Sequence, residues 1–201
     1  MTIQAVRNRK IKTNILIFFL LVFTLFSCEN STGGEDLPKD GAYRITKNIS
    51  YNGIQVNVMI DKPENNDVDV LIVYHGTVRF DSKVLEAANK TLNGFKRILD
   101  RDDMMIVSVA YPEEGLLFGE NVSHSEAAFL WVKNKANQEL EINVKKIFLG
   151  GHSQGGYIVT RLNTMHKTNG VIANAPGPFN LVYRCQLEEN GQIPNGQACT
   201  L

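Results

Sequence analysis

Apolar residues run from Ile15 to Phe26 with Thr24 as the one interruption, thin out between Ser27 and Asp40, and then return in short blocks of two alternating periods. Tyr43 to Tyr51 and Ile54 to Ile60 alternate polar and apolar residues, the period of a half-buried strand. Between them lies Asn52-Gly53, a dipeptide suited to the left-handed positions of a tight hairpin turn. Both strands look half exposed, which predicts an antiparallel hairpin at the edge of a sheet. Lys62 to Asp67 reads as loop. Val68 to Tyr74 is almost continuously apolar, as a strand covered on both faces should be. Val84, Leu85, Ala88, Leu92, Phe95 and Leu99 recur at steps of mostly three and four, one face of a helix, with Asn93-Gly94 weakening its middle. Met104 to Ala110 predicts a second buried strand, stopped by Tyr111-Pro112. Ser123 with Glu126 resembles a capping box opening a helix that runs to about Gln138. Lys145 to Leu149 predicts a third buried strand, Gln154 to about His166 a helix, and Gly170 to Ala175 a fourth buried strand. Leu181 to Leu201 shows no clear period, contains Asn190-Gly191 and Pro194-Asn195-Gly196, and reads as loop. Strands alternating with helices imply an α/β architecture, a sheet sandwiched between helical layers.

The first 40 residues stand apart from that pattern. Arg7, Arg9, Lys10 and Lys12 precede the apolar run, which as a helix would rise only about 18 Å against a hydrocarbon core of about 30 Å. A basic start followed by a short apolar stretch reads as a secretory signal. Leu25-Phe26-Ser27-Cys28 resembles a bacterial lipobox, in which the chain is cut before a cysteine that then carries lipid. That resemblance implies a signal peptide over 1–27, a polar tether over 28–40 and a domain over 41–201. It also implies an exported outer-membrane lipoprotein, facing the periplasm or the cell surface and anchored through Cys28. An ordinary cleaved signal or an uncleaved anchor is the plainer alternative. With Cys28 set aside, Cys185 and Cys199 remain as an even pair, consistent with a disulfide in an oxidising compartment; two free thiols are the other reading.

Charge removes one class of function. Lys plus Arg and Asp plus Glu both total 21, so there is no basic excess for nucleic acid. No zinc-like pairing of Cys and His occurs, and no cofactor or metal is expected.

The chemistry concentrates at Gly150-Gly151-His152-Ser153-Gln154-Gly155-Gly156, where a predicted strand turns directly into a predicted helix. Gly-x-Ser-x-Gly in that context suits a serine lifted above the sheet on a strained turn, with glycines where bulk would collide with a neighbouring strand or helix. A tight turn in which the serine is merely small is the bland alternative. A second motif, His75-Gly76, ends the strand Val70 to Tyr74. Together these features are similar to the α/β-hydrolase fold, and Gly-His-Ser-Gln-Gly-Gly looks like its esterase and prolyl-oligopeptidase-like branches.

The resemblance covers Tyr43 to about Phe179. It implies Ser153 as nucleophile, the backbone N–H groups of Gln154 and Thr77 as oxyanion donors, and His75, Gly76, Gly151, His152 and Gly155 as residues that shape the loops. Tyr111 and Asn174 follow strand ends on the active-site side and are expected to line the pocket. The substrate would be a small ester or a peptide.

A serine hydroxyl needs a base to take its proton. The family's order is Ser, then Asp or Glu, then His. After Ser153 the only histidine is His166, expected at the surface about 20 Å along the helix. The only carboxylates are Glu188 and Glu189, in the tail read as loop. Six strands are predicted where the family usually has about eight, so the expectation is an incomplete sheet, C-terminally truncated and without its catalytic acid and base. The main rival is a non-catalytic lipoprotein that binds a ligand in the same pocket; a thiol-dependent protein using Cys185 or Cys199 has little around either cysteine to support it.

Overall fold

The computed structural model describes residues 41–112, 114, 118–176 and 181–192. Six strands form one sheet in the order β1-β2-β4-β3-β5-β6. They are β1 (Tyr43–Tyr51), β2 (Ile54–Lys62), β3 (Asp67–Tyr74), β4 (Met104–Ala110), β5 (Asn143–His152) and β6 (Gly170–Asn174). Helices α1 (Val84–Ile98), α2 (Phe118–Asn134), α3 (Ala136–Glu139), α4 (Gln154–Met165) and α5 (Leu181–Glu189) connect or follow them.

The β1–β2 turn is as expected: Asn52 and Gly53 both have positive φ, 50° and 81°, the twist that suits a two-residue hairpin. Of these two strands only β1 lies at the edge. β2 is paired on both sides, antiparallel to β1 and to β4, while β3, β4, β5 and β6 run parallel. Half-exposed residues on β2 reflect thin cover over the sheet, not a free edge.

Side chains on β3 alternate between two helical layers. Leu71 and Val73 face α1, forming a core cluster with Leu92 and Ile106 against Phe95 and Phe148. Tyr74 faces the opposite layer, where its hydroxyl donates to the Ser125 carbonyl of α2 at 3.1 Å. α4 packs in that same layer against β3, β5 and β6 and touches α2. The sheet is therefore sandwiched, with its densest cover over β3 and β4, all of whose inward positions are buried.

Several sequence expectations need correction. Ser123 and Glu126 do not cap a helix: α2 begins at Phe118, so both lie in its interior, and the helix breaks after Asn134 before the short α3. β6 is not buried. It pairs only with β5 among the described residues, and Ile172 is 52% exposed. The segment read as loop from Leu181 holds α5. Asn190-Gly191 is the stop signal of that helix: Gly191 has φ 66° and its N–H reaches the Glu188 carbonyl, while the Gln192 N–H reaches that of Leu187. This is a glycine C-cap, which a search for turn dipeptides mistakes for loop.

Candidate active site

The parallel strands β3 and β5 are in register up to Tyr74 opposite Gly151, so the end of β3 and the turn after β5 lie side by side. Ser153 occupies that turn with φ 55° and ψ −117°, immediately before the first residue of α4. Such a conformation costs a non-glycine residue about 1–3 kcal/mol and survives only where its surroundings impose it. The surroundings here are glycines. A Cβ on Gly151 would overlap the Gly155 carbonyl and lie 2.8 Å from the Gly156 nitrogen. One on Gly155 would overlap the Tyr74 carbonyl and sit 2.7 Å from that of His75. Strand β3, the turn and α4 thus approach at backbone contact, and the serine is the residue pushed outward. A merely small serine in a relaxed turn does not fit this backbone.

The Ser153 N–H donates to the Asn174 carbonyl at 3.0 Å, tying the turn to the end of β6. Asn174 therefore supports the turn through its backbone, and its side chain is exposed. Ala175, the next residue, also has positive φ, 43°, a second strained position that the sequence does not announce. Gln154 is the first residue of α4, so its N–H has no carbonyl within the helix to receive it and lies at the positive end of the helix dipole. Ser153 Oγ hydrogen-bonds to no described residue.

His75 and Gly76 come to the same place. An added Cβ on Gly76 would be 3.5 Å from the Ser153 Cβ, so the His-Gly loop runs directly beside the serine. Thr77 is exposed there. His75 is buried, with Nδ1 2.8 Å from the Gly76 carbonyl oxygen, so Nδ1 carries the proton in that hydrogen bond. Burial holds its pKa below the ordinary imidazole value, and hydrogen bonds to the backbone of Gly76 and Tyr111 only partly offset that.

Tyr111 departs from expectation: it does not line a pocket. It is 0% exposed, its ring stacks on His75 at 4.0 Å and 5°, and its hydroxyl donates to the His75 carbonyl at 2.6 Å. Nothing in sequence marks this brace beyond the position of Tyr111 at a strand end.

The remaining histidines are engaged elsewhere or exposed. His166 caps the far end of the helix that begins at Ser153. It is half-buried and not a plain surface residue: Nε2 is 2.7 Å from Glu126 Oε1 and the ring stacks on Phe129 at 4.8 Å. His124 is half-buried on α2, its Nδ1 2.8 Å from the Glu120 carbonyl. His152 is exposed beside the serine. Glu188 and Glu189 end α5, with Glu188 buried. Cys185, also on α5, is disulfide-bonded. Cys199 and Cys28 lie outside the described residues, as do the expected signal and tether.

No family model matches the chain, and no curated protein matches it in sequence. Solved structures do. Fungal esterases from Rhizomucor miehei are 18% identical, with a TM-score of 0.51 over 83% of this chain and 54% of theirs. The Fe-lacking apo form of ESTFA is 16% identical, with the same TM-score and the same coverage of both chains. An alpha-beta serine hydrolase homologue from Coxiella burnetii is 20% identical, with a TM-score of 0.49 over 68% of this chain and 64% of that one. The chain spans just over half the length of the first two and 64% of the third. Identities this low speak to fold alone, and the fold is that of the α/β-hydrolases, with six strands described of the eight usual in that family.

Proposed function

We propose that this chain carries the nucleophile and oxyanion portion of a serine hydrolase that cleaves an ester or peptide bond through an acyl-enzyme on Ser153. The observation that carries the proposal is the strained Ser153 backbone, held between two glycines that admit no Cβ, at the N-terminus of α4. In this reading Ser153 Oγ attacks the substrate carbonyl carbon and its proton passes to a base. The carbonyl oxygen becomes an oxyanion that accepts hydrogen bonds from the Gln154 and Thr77 N–H groups. Collapse expels the alcohol or amine, which takes up the proton, and water then releases the acid. Losing one such donor typically costs about 2.7–4 kcal/mol in barrier. The protein would act outside the cytoplasm, held to a bacterial outer membrane through lipid on Cys28.

A second reading, a non-catalytic lipoprotein that binds a ligand in the same cleft, is favoured by one fact. Among the described residues no histidine hydrogen-bonds to Ser153, and His75 and His166 are committed to other partners. The 201-residue chain by itself is accordingly expected to show little or no turnover of activated esters; robust hydrolysis abolished by Ser153→Ala would refute that. The test between the two readings is labelling of the gene product with a fluorophosphonate, using Ser153→Ala as control. Covalent capture at Ser153 supports the hydrolase. A folded protein that is never captured supports the binding role.

A further inference from the structure

Both carbonyls of the His-Gly pair are held. The His75 carbonyl accepts from the Tyr111 hydroxyl at 2.6 Å, and the Gly76 carbonyl accepts from His75 Nδ1 at 2.8 Å. Peptide units are planar, and no peptide here is cis. A carbonyl drawn toward His75 therefore turns the N–H of the same unit, that of Thr77, to the opposite edge. Gly76 itself stands against Ser153. A second, outer connection joins the same two segments, the one after β3 and the one after β4. Asp81 N–H donates to Glu114 Oε2 at 3.1 Å, and Glu114 N–H donates to Asp81 Oδ1 at 3.0 Å.

We propose that Tyr111 is a positioning residue: stacked under His75 and bonded to its carbonyl, it keeps the Gly76–Thr77 peptide turned with its N–H toward Ser153. The constraint is steric as well as polar. The His75 carbonyl lies where Gly155 leaves no spare room, so it has two neighbours that fix it, α4 on one side and the Tyr111 hydroxyl on the other. With that carbonyl fixed, the imidazole plane is set by the stack, and Nδ1 is aimed at Gly76. Without the hydroxyl, the peptide is free to turn over and present the Gly76 carbonyl to the site, where an oxyanion would meet an acceptor in place of a donor. The Asp81–Glu114 pair, being exposed, keeps the two segments together but does not set the orientation of the peptide.

This inference rests on the serine-hydrolase reading for its catalytic meaning, and its geometry is testable apart from it. Tyr111→Phe retains the ring and removes only the hydroxyl. The crystal structure and the Thr77 amide resonance of Tyr111→Phe should show the Gly76–Thr77 peptide reoriented or in exchange, with Ser153 keeping its positive φ. His75→Ala should do the same, and His75→Asn, whose side-chain amide can stand in for Nδ1–H, should restore the wild-type peptide. Fluorophosphonate capture at Ser153 should slow about 100-fold in Tyr111→Phe, the scale of a lost oxyanion donor. An unchanged peptide in both Tyr111→Phe and His75→Ala overturns the proposal, as does unchanged capture. If wild-type Ser153 is never captured, the hydrolase reading falls, and the peptide orientation in the variants alone decides the role of Tyr111.

Discussion

Strands β3 and β5 lie side by side over their whole length, yet their two ends are held by different physics. At the C-terminal end the backbone of β3 touches α4 at Gly155, Ser153 is strained, and His75 and Tyr111 are stacked and buried. At the N-terminal end the register slips between Val68 and Asp69, and the partners are solvent-exposed charges. Asp67 meets Lys145 at 3.0 Å and Asn143 at 3.1 Å, and Arg101 bridges Asp69 and Asp103. Packing and buried hydrogen bonds tolerate almost no displacement, whereas exposed ion pairs tolerate a good deal and are screened by salt. A site that must hold donors to within a fraction of an ångström belongs at the first kind of end.

The largest effect expected is at the close approach itself. Gly155→Ala places a methyl group inside the Tyr74 carbonyl and should lose about 3 kcal/mol or more in urea denaturation, the upper range for overpacking, because the clashing atoms are backbone. Gly94→Ala is the control. That glycine is in α1 with nothing within 4 Å of an added Cβ, and alanine there should stabilise by up to about 1 kcal/mol. If the two variants behave alike, the contrast between tight and open backbone is wrong.

An intermediate effect should follow pH through His75. Its pKa is lowered by burial, so between that value and the unfolded value of about 6.5 the unfolded chain binds more protons than the folded one. Stability should hold above about pH 6.5 and fall as the pH drops below it, by at most about 1.4 kcal/mol per pH unit from this group. Thermal melts of His75→Asn against wild type isolate that contribution, and parallel curves from pH 7 to 5 would contradict it.

The smallest effect belongs to the charged end. Lys145→Ala should leave the melting temperature almost unchanged, and whatever difference remains should shrink in high salt. The Asp67 carboxyl, held below its usual pKa by hydrogen bonds from Lys145 and Asn143, contributes above the ordinary carboxylate value of about 3.9. It loses that contribution as pH falls through its lowered value. A large, salt-insensitive loss in Lys145→Ala would erase the distinction between the two ends.

How much was legible in advance follows the same division. The hairpin at Asn52-Gly53, the apolar strands β3 and β4 and the helix at Val84 rest on local periodicity, and each formed within a residue or two of its expected bounds. Ser153 was legible because the steric demand of its turn writes glycines at fixed spacing. β6 differs from its buried expectation because its apolar residues resemble a covered strand, and cover is a property of neighbours. α5 is not legible in the sequence because its apolar positions are few and its glycine cap looks like a turn. Tyr111 reads in sequence as a pocket residue because its place after a strand is visible and the side to which its ring turns is not.

By itself the sequence determined the order of strands and helices as far as β6, the elbow that forces Ser153 into a positive φ, and the absence of a basic excess that would favour nucleic acid. These depend on residues close together in the chain, through period, turn chemistry and net charge. Tertiary structure alone decided that β2 is interior, that the Asn174 carbonyl anchors the elbow, that His166 pairs with Glu126, and that Tyr111 grips His75 from 36 residues away. Those contacts join atoms whose separation along the chain carries no repeating pattern, so only the folded sheet brings them within hydrogen-bonding distance.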